Sequence, residues 1–130
     1  MKRFRQLALG ALALLAVPAL AADFDGSKSL ICAPVSAMDC VRGDDCVTGL
    51  PEEVGAPAFM RLDFAKKSVV GPKRSSDMLL IEKTGNQTLL QGREGDFGWT
   101  IVLEAESGEM TVTLANRKGA FVLFGACTPL

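Results

Sequence analysis

Trp99-Thr100-Ile101-Val102-Leu103-Glu104 and, after Ser107-Gly108, Met110-Thr111-Val112-Thr113-Leu114 are the two runs whose reading decides the fold. In the first, Trp99, Ile101 and Leu103 fall on one face and Thr100, Val102 and Glu104 on the other. In the second, Met110, Val112 and Leu114 oppose two threonines. This alternation is the signature of half-buried β-strands. The Asn116-Arg117-Lys118-Gly119 cluster turns the chain into a third run, Ala120 to Ala126, which is apolar on both faces and rich in Val and Phe. Such a run is expected to be covered on both sides. Cys127 ends it, and a bond to Cys32 on the first strand would tie the two ends of the chain together.

Met1 to Ala21 has the physics of a secretory leader. Lys2, Arg3 and Arg5 form a positive start, Leu7 to Val17 an apolar run, and Ala19-Leu20-Ala21 a small-x-small cleavage site. The apolar run is short of the roughly 20 residues of a membrane-spanning helix. No cysteine follows the cleavage site directly, which argues against a lipid anchor. The reading is therefore a leader at 1–21 and one domain at 22–130, a length that suits a single core. Removing three of the 14 Lys and Arg against 15 Asp and Glu shifts the net charge from −1 to about −4. No basic patch suited to nucleic acid remains.

The four cysteines, Cys32, Cys40, Cys46 and Cys127, all follow the leader, and an even count in a short exported chain points to disulfides. Three pairings are possible. Cys32 with Cys127 and Cys40 with Cys46 is favoured, because the second pair brackets a short loop and the first joins opening and closing strands. A zinc site is the competing use of four cysteines, but there is no C-x-x-C knuckle and no histidine.

Taken in order, Ala22 to Lys28 is a loosely pinned lead-in, and Leu30 to Val35 a first strand that ends or sits at an edge near Pro34. Cys40 to Cys46 encloses a hydrophilic loop expected to protrude. Arg42-Gly43-Asp44 spells a tripeptide that animal adhesion receptors recognise, and Asp39, Asp44 and Asp45 suggest calcium. A solvated turn is the plainer reading, since calcium loops need six or more ordered oxygens. Thr48 to Pro57 is a connecting loop with a helical turn after Pro51. Ala58 to Phe64, Val69-Val70, Met78 to Lys83 and Gln87 to Gln91 are further strands, with Thr84-Gly85-Asn86 a hairpin turn and Gly92 to Gly98 a glycine-rich turn. About eight or nine short strands in a meander can bury one face only by curling up. The fold expected is thus an all-β, disulfide-closed antiparallel barrel, with a β-sandwich as the alternative.

The absence of histidine excludes Ser-His-Asp and Cys-His nucleophilic sites and His-ligated metals. Glu82, Glu104 and Glu106 are the carboxylates a glycosidase would need, but all fall on exposed faces or turns. No enzyme and no cofactor are expected. Trp99, the only tryptophan, either stacks on an apolar ligand at the barrel mouth or plugs the barrel floor. Lys66-Lys67 and Lys73-Arg74 fit solvated hairpin tips or a contact with an acidic partner.

The pieces Phe24-Asp25-Gly26-Ser27-Lys28, Ala65-Lys66-Lys67, Gly98-Trp99 and Phe124-Gly125-Ala126-Cys127-Thr128-Pro129 resemble a family of small exported proteins of Gram-negative bacteria with a domain of unknown function. The resemblance implies a periplasmic home and no mechanism. Size, disulfide use and strand count are more distantly similar to periplasmic lysozyme-inhibitor barrels, with no motif that transfers a site. The functional expectation is a monomeric, non-enzymatic periplasmic protein that contacts a protein or envelope component through its loops, with Arg42, Asp44, Asp45 and Trp99 as candidate binding residues. The alternative is a lipocalin-like carrier of a small apolar ligand, for which a cavity beside Trp99 is the discriminating observation.

Overall fold

The computed structural model describes residues 23–130, so the leader read at 1–21 lies outside the described residues. Nine strands form among them: β1 Leu30–Val41, β2 Val47–Gly49, β3 Met60–Asp63, β4 Ser68–Val70, β5 Ser75–Thr84, β6 Gln87–Glu94, β7 Phe97–Glu104, β8 Glu109–Ala115 and β9 Gly119–Pro129. A single 3₁₀ turn, Pro51–Val54, joins β2 to β3. Every neighbouring pair is antiparallel, in the order β2-β1-β3-β4-β5-β6-β7-β8-β9. β1 returns to pair with β9 from Leu30↔Pro129 to Val41↔Gly119. β1 and β3 to β9 therefore close an eight-stranded barrel, and β2 is an extra strand on the upper half of β1.

Both disulfides join the expected cysteines. Cys32 and Cys127 are direct partners in the β1–β9 ladder and bridge it from the inside, with Cα atoms 4.0 Å apart and Cys32 fully buried. Cys40 and Cys46 close the loop between β1 and β2.

Pro34 does not end the first strand. β1 pairs with β3 only as far as Cys32 and with β2 only from Ala37, so Pro34 lies in the gap between two partners, where its missing N–H costs nothing. On the other edge the β1–β9 register shifts between Pro34 and Ser36, and the extra residue, Val35, is left 69% exposed. A Cβ at Gly125 would strike the Ala33 carbonyl, so glycine is what lets β9 pass this bulge closely. The stretch from Gly92 to Gly98 is also more strand than expected. β6 runs on to Glu94 and β7 begins at Phe97, leaving Gly95-Asp96 as the turn.

The interior is layered by the ladder. Trp99, Leu114 and Phe121 stand side by side in one row, and Leu90, Ile101, Val112 and Leu123 in the next. Thr88, Leu103 and Met110 form a third. Below them Leu30, Leu62, Phe64 and the Cys32–Cys127 bridge fill the floor, where Cys127 Sγ lies 3.9 Å from Met110 Sδ. The lead-in is anchored there too: Phe24 packs on the core, and a Cβ at Gly108, which has φ +74°, would strike its ring. The third run of the opening motif, now β9, is covered on one side only. Its inward Leu123 and Cys127 are buried, but its outward Phe124 is 42% exposed because no second layer packs on the barrel wall.

Glu104 shapes the turn from β7 to β8. Its carboxylate accepts the backbone N–H groups of Ser107 and Glu106 at 2.5 and 2.9 Å. These bonds, the one from Ser107 first, hold its pKa below the ordinary carboxylate value. A depressed carboxylate stabilises the fold at neutral pH, and that contribution is lost as pH falls through the lowered folded pKa. Glu104→Gln is therefore expected to be less stable than wild type at neutral pH and to converge with it in strong acid, as read by denaturant unfolding at both. Unfolding will also separate the disulfides: Cys32→Ser/Cys127→Ser should lose about 4 to 5 kcal/mol and Cys40→Ser/Cys46→Ser about 2 kcal/mol, following the lengths of the loops they close.

Candidate functional site

Because hairpin turns alternate ends, the turns Gly71–Arg74, Gly95–Asp96 and Asn116–Lys118 gather with the Arg42–Cys46 loop at the end opposite the floor. That end is not filled. A cavity of ≈ 360 Å³ opens there, with Met60, Trp99, Ile101, Leu114, Phe121 and Leu123 among its apolar lining. Its size lies in the range of small-molecule sites. The hollow has a local cause. β3 and β4 have only four and three residues, so on that side the wall is completed by backbone-rich residues Val54 to Pro57 instead of strand side chains.

The segment that supplies this wall is held firmly. Pro51 opens the 3₁₀ turn, the Leu50 N–H donates to Glu53 Oε2 at 2.7 Å, and Gly55 takes the left-handed conformation that ends it, with φ 74°. The Cys40–Cys46 bridge pins the other end of β2 to β1.

Trp99 belongs to the upper row and lines the cavity, so it is neither floor plug nor free platform. It is 6% exposed, and its Nε1–H donates to Ser76 Oγ at 2.8 Å while that hydroxyl donates to the Arg93 carbonyl at 2.6 Å. The buried indole thus has its polar atom satisfied and its orientation set. Its ladder partner on β6 is Gly92, and a Cβ there would collide with the indole ring. Placing Gly92 in a turn hid this pairing at the level of sequence.

Polar groups occupy the rim. Arg74 Nη1 meets Glu94 Oε1 at 3.1 Å, with the arginine side chain 75% exposed. Asn116 Nδ2 donates to Asp96 Oδ2 at 3.1 Å, and Asn116 Oδ1 accepts the N–H groups of Lys118 and Gly119. Asp39 is the ladder partner of Phe121, on the same face as the buried Ala37 two residues earlier.

The other residues singled out from sequence are spread. Arg42, Asp44 and Asp45 are exposed on the disulfide-bracketed loop, where Arg42 Nη2 donates to the Arg117 carbonyl at 3.1 Å. They share the open end of the barrel with Trp99 but do not line the cavity. Lys66 and Lys67 lie on the β3–β4 turn at the floor end, whereas Arg74 is on the rim. Glu104 and Glu106 are at the β7–β8 turn and Glu82 is exposed on β5. The carboxylates at the cavity are Glu94 and Asp96, which sequence reading passed over because both fell inside the expected turn. Among the described residues no three His, Cys, Asp or Glu side chains gather as a metal site.

The fold and this site define a closed, half-filled β-barrel with one open apolar end. Compared with protein-family models, curated proteins and solved structures, the chain matches none. The two disulfides are consistent with an oxidising, exported compartment.

Gly92→Ala tests the indole pairing. The added methyl must displace Trp99, so a loss of about 1 to 3 kcal/mol in unfolding free energy is expected, together with a red shift of the single tryptophan's emission.

Proposed function

We propose that the protein is a non-enzymatic periplasmic binding protein that takes a small apolar ligand into the cavity beside Trp99. One observation carries this reading: the barrel's open end holds ≈ 360 Å³ of unfilled space walled by Trp99, Phe121 and aliphatic side chains. A purely structural barrel of this size would be filled by side chains to its rim, as it is at its floor. An apolar hollow that water occupies poorly favours an apolar guest. The two disulfides agree with an oxidising, exported compartment. Ligand capture needs no acid, base or nucleophile, and the rim residues are read as orienting groups only.

Contact with a protein or envelope component through the Cys40–Cys46 loop is the second reading. It is favoured by the exposure of Arg42, Asp44 and Asp45 on a loop held rigid by its own disulfide, which lowers the ordering cost of binding.

Titration with a neutral apolar fluorophore such as N-phenyl-1-naphthylamine tests the first reading. Wild type should bind one equivalent with a Kd of about micromolar, or about −8 kcal/mol, with transfer of excitation from Trp99. Leu114→Trp, which fills the cavity, should weaken this at least tenfold while circular dichroism stays native. Equal binding by the filled variant would remove the cavity from the reading. For the loop, equal recovery of the same periplasmic partners by wild type and by Cys40→Ser/Cys46→Ser would remove that segment.

A further inference from the structure

We propose, resting on the reading of the cavity as a ligand site, that the ligand it selects is a small organic cation, a quaternary or tertiary ammonium carrying an apolar body. Three aromatic rings converge on the opening: Trp99, Phe97 and Phe121 all line it, the last two with centroids 5.9 Å apart and planes tilted by 40°. The electron-rich faces of such rings attract a cation that is too weakly hydrated to resist entering an apolar site. Aromatic walls alone would serve a neutral guest equally well, so the charges at the rim decide between them.

Those charges are unbalanced. Arg74, the only cationic side chain lining the cavity among the described residues, is already paired with Glu94 at 3.1 Å, and the pair is neutral. Asp96 remains, partnered only by the uncharged Asn116 amide and keeping lone pairs for a further contact. An anionic head group would meet Asp96 and would have to pull Arg74 away from Glu94. A cation meets, at Asp96, a carboxylate free of a cationic partner, together with the aromatic rings that line the same opening. Ser76 offers no competing preference, because its hydroxyl already bonds the Trp99 indole and the Arg93 carbonyl.

The same geometry bounds the ligand. The cationic centre belongs at the rim, between Phe97, Phe121 and Asp96, with the apolar body directed down toward Ile101 and Leu123.

Three matched probes test this on the full disulfide-bonded protein: benzyltrimethylammonium, its neutral carbon isostere neopentylbenzene, and the anion phenylacetate. Binding is read from the NMR shift of the Trp99 indole N–H. Benzyltrimethylammonium should bind at least tenfold more tightly than phenylacetate. Glu94→Gln/Asp96→Asn, whose changes are on the exposed rim, should weaken the cation at least fivefold and leave neopentylbenzene within twofold. If neopentylbenzene binds but the cation is no better than phenylacetate, or the rim variant leaves it unchanged, the charge selection is wrong while the cavity reading stands. If no probe shifts the indole resonance, both are wrong.

Discussion

A meander of short strands can hide its apolar face only if its first and last members meet, and in this protein they meet along their whole length. β1 and β9 are the two longest neighbours in the sheet, and the Cys32–Cys127 bridge crosses their ladder from the inside at a point close to the floor. Closure removes the two open edges that an antiparallel sheet would otherwise present. It also brings Leu30, Cys32 and Ala37 of β1 against Leu123 and Cys127 of β9, so that the rows built on β6 to β9 become a continuous core. The bulge at Val35 and the missing side chain at Gly125 are local concessions to that contact. The unfolded chain joined across this long loop has much less freedom than an open one, which is where the bond acts most strongly.

The same closure explains why the barrel is filled at one end and hollow at the other. At the floor Leu30, Leu62, Phe64 and the Cys32–Cys127 bridge fill the interior, and Phe24 is folded back to help. Toward the rim β3 and β4 are too short to supply their share, and the Val54–Pro57 segment stands in for them with little side-chain volume. Gly92 contributes none at all, because the Trp99 ring already occupies the space over it. The hollow is therefore bounded by rigid parts: a hydrogen-bonded indole on one side and a disulfide-tethered, proline-initiated turn on the other. Rigid walls around an apolar space let a guest bind without ordering them, and this is what makes the cavity, more than the outer wall, the centre of the functional reading.

Much of the strand content was legible because its period is strict. The alternation in Trp99 to Leu103 and Met110 to Leu114 assigned the inward face of β7 and β8 residue by residue, and these side chains are buried except Leu114, which is half-buried beside the cavity. Glycine misled in one place. Gly92 and Gly98 marked the ends of an apparent turn yet both lie within strands, Gly92 because a neighbouring ring needs its volume. Pro34 suggested that the first strand ends or sits at an edge there, and the edge is what the structure has: the gap between β3 and β2 leaves its ring room and asks for no N–H. In β9, local composition indicated cover on both sides, whereas only the curvature of the whole sheet determines that its outer face has no second layer.

From the amino acids alone came the class of fold, the favoured cysteine pairing, and the exclusion of histidine-dependent chemistry, since each rests on local periodicity, on counts, or on a missing residue type. Whether the interior is solid or hollow, and that Trp99, Phe97, Phe121, Glu94 and Asp96 share one opening, belonged to the tertiary structure. Those residues come from three strands and a turn, and no pattern along the chain encodes which of them closure will bring face to face.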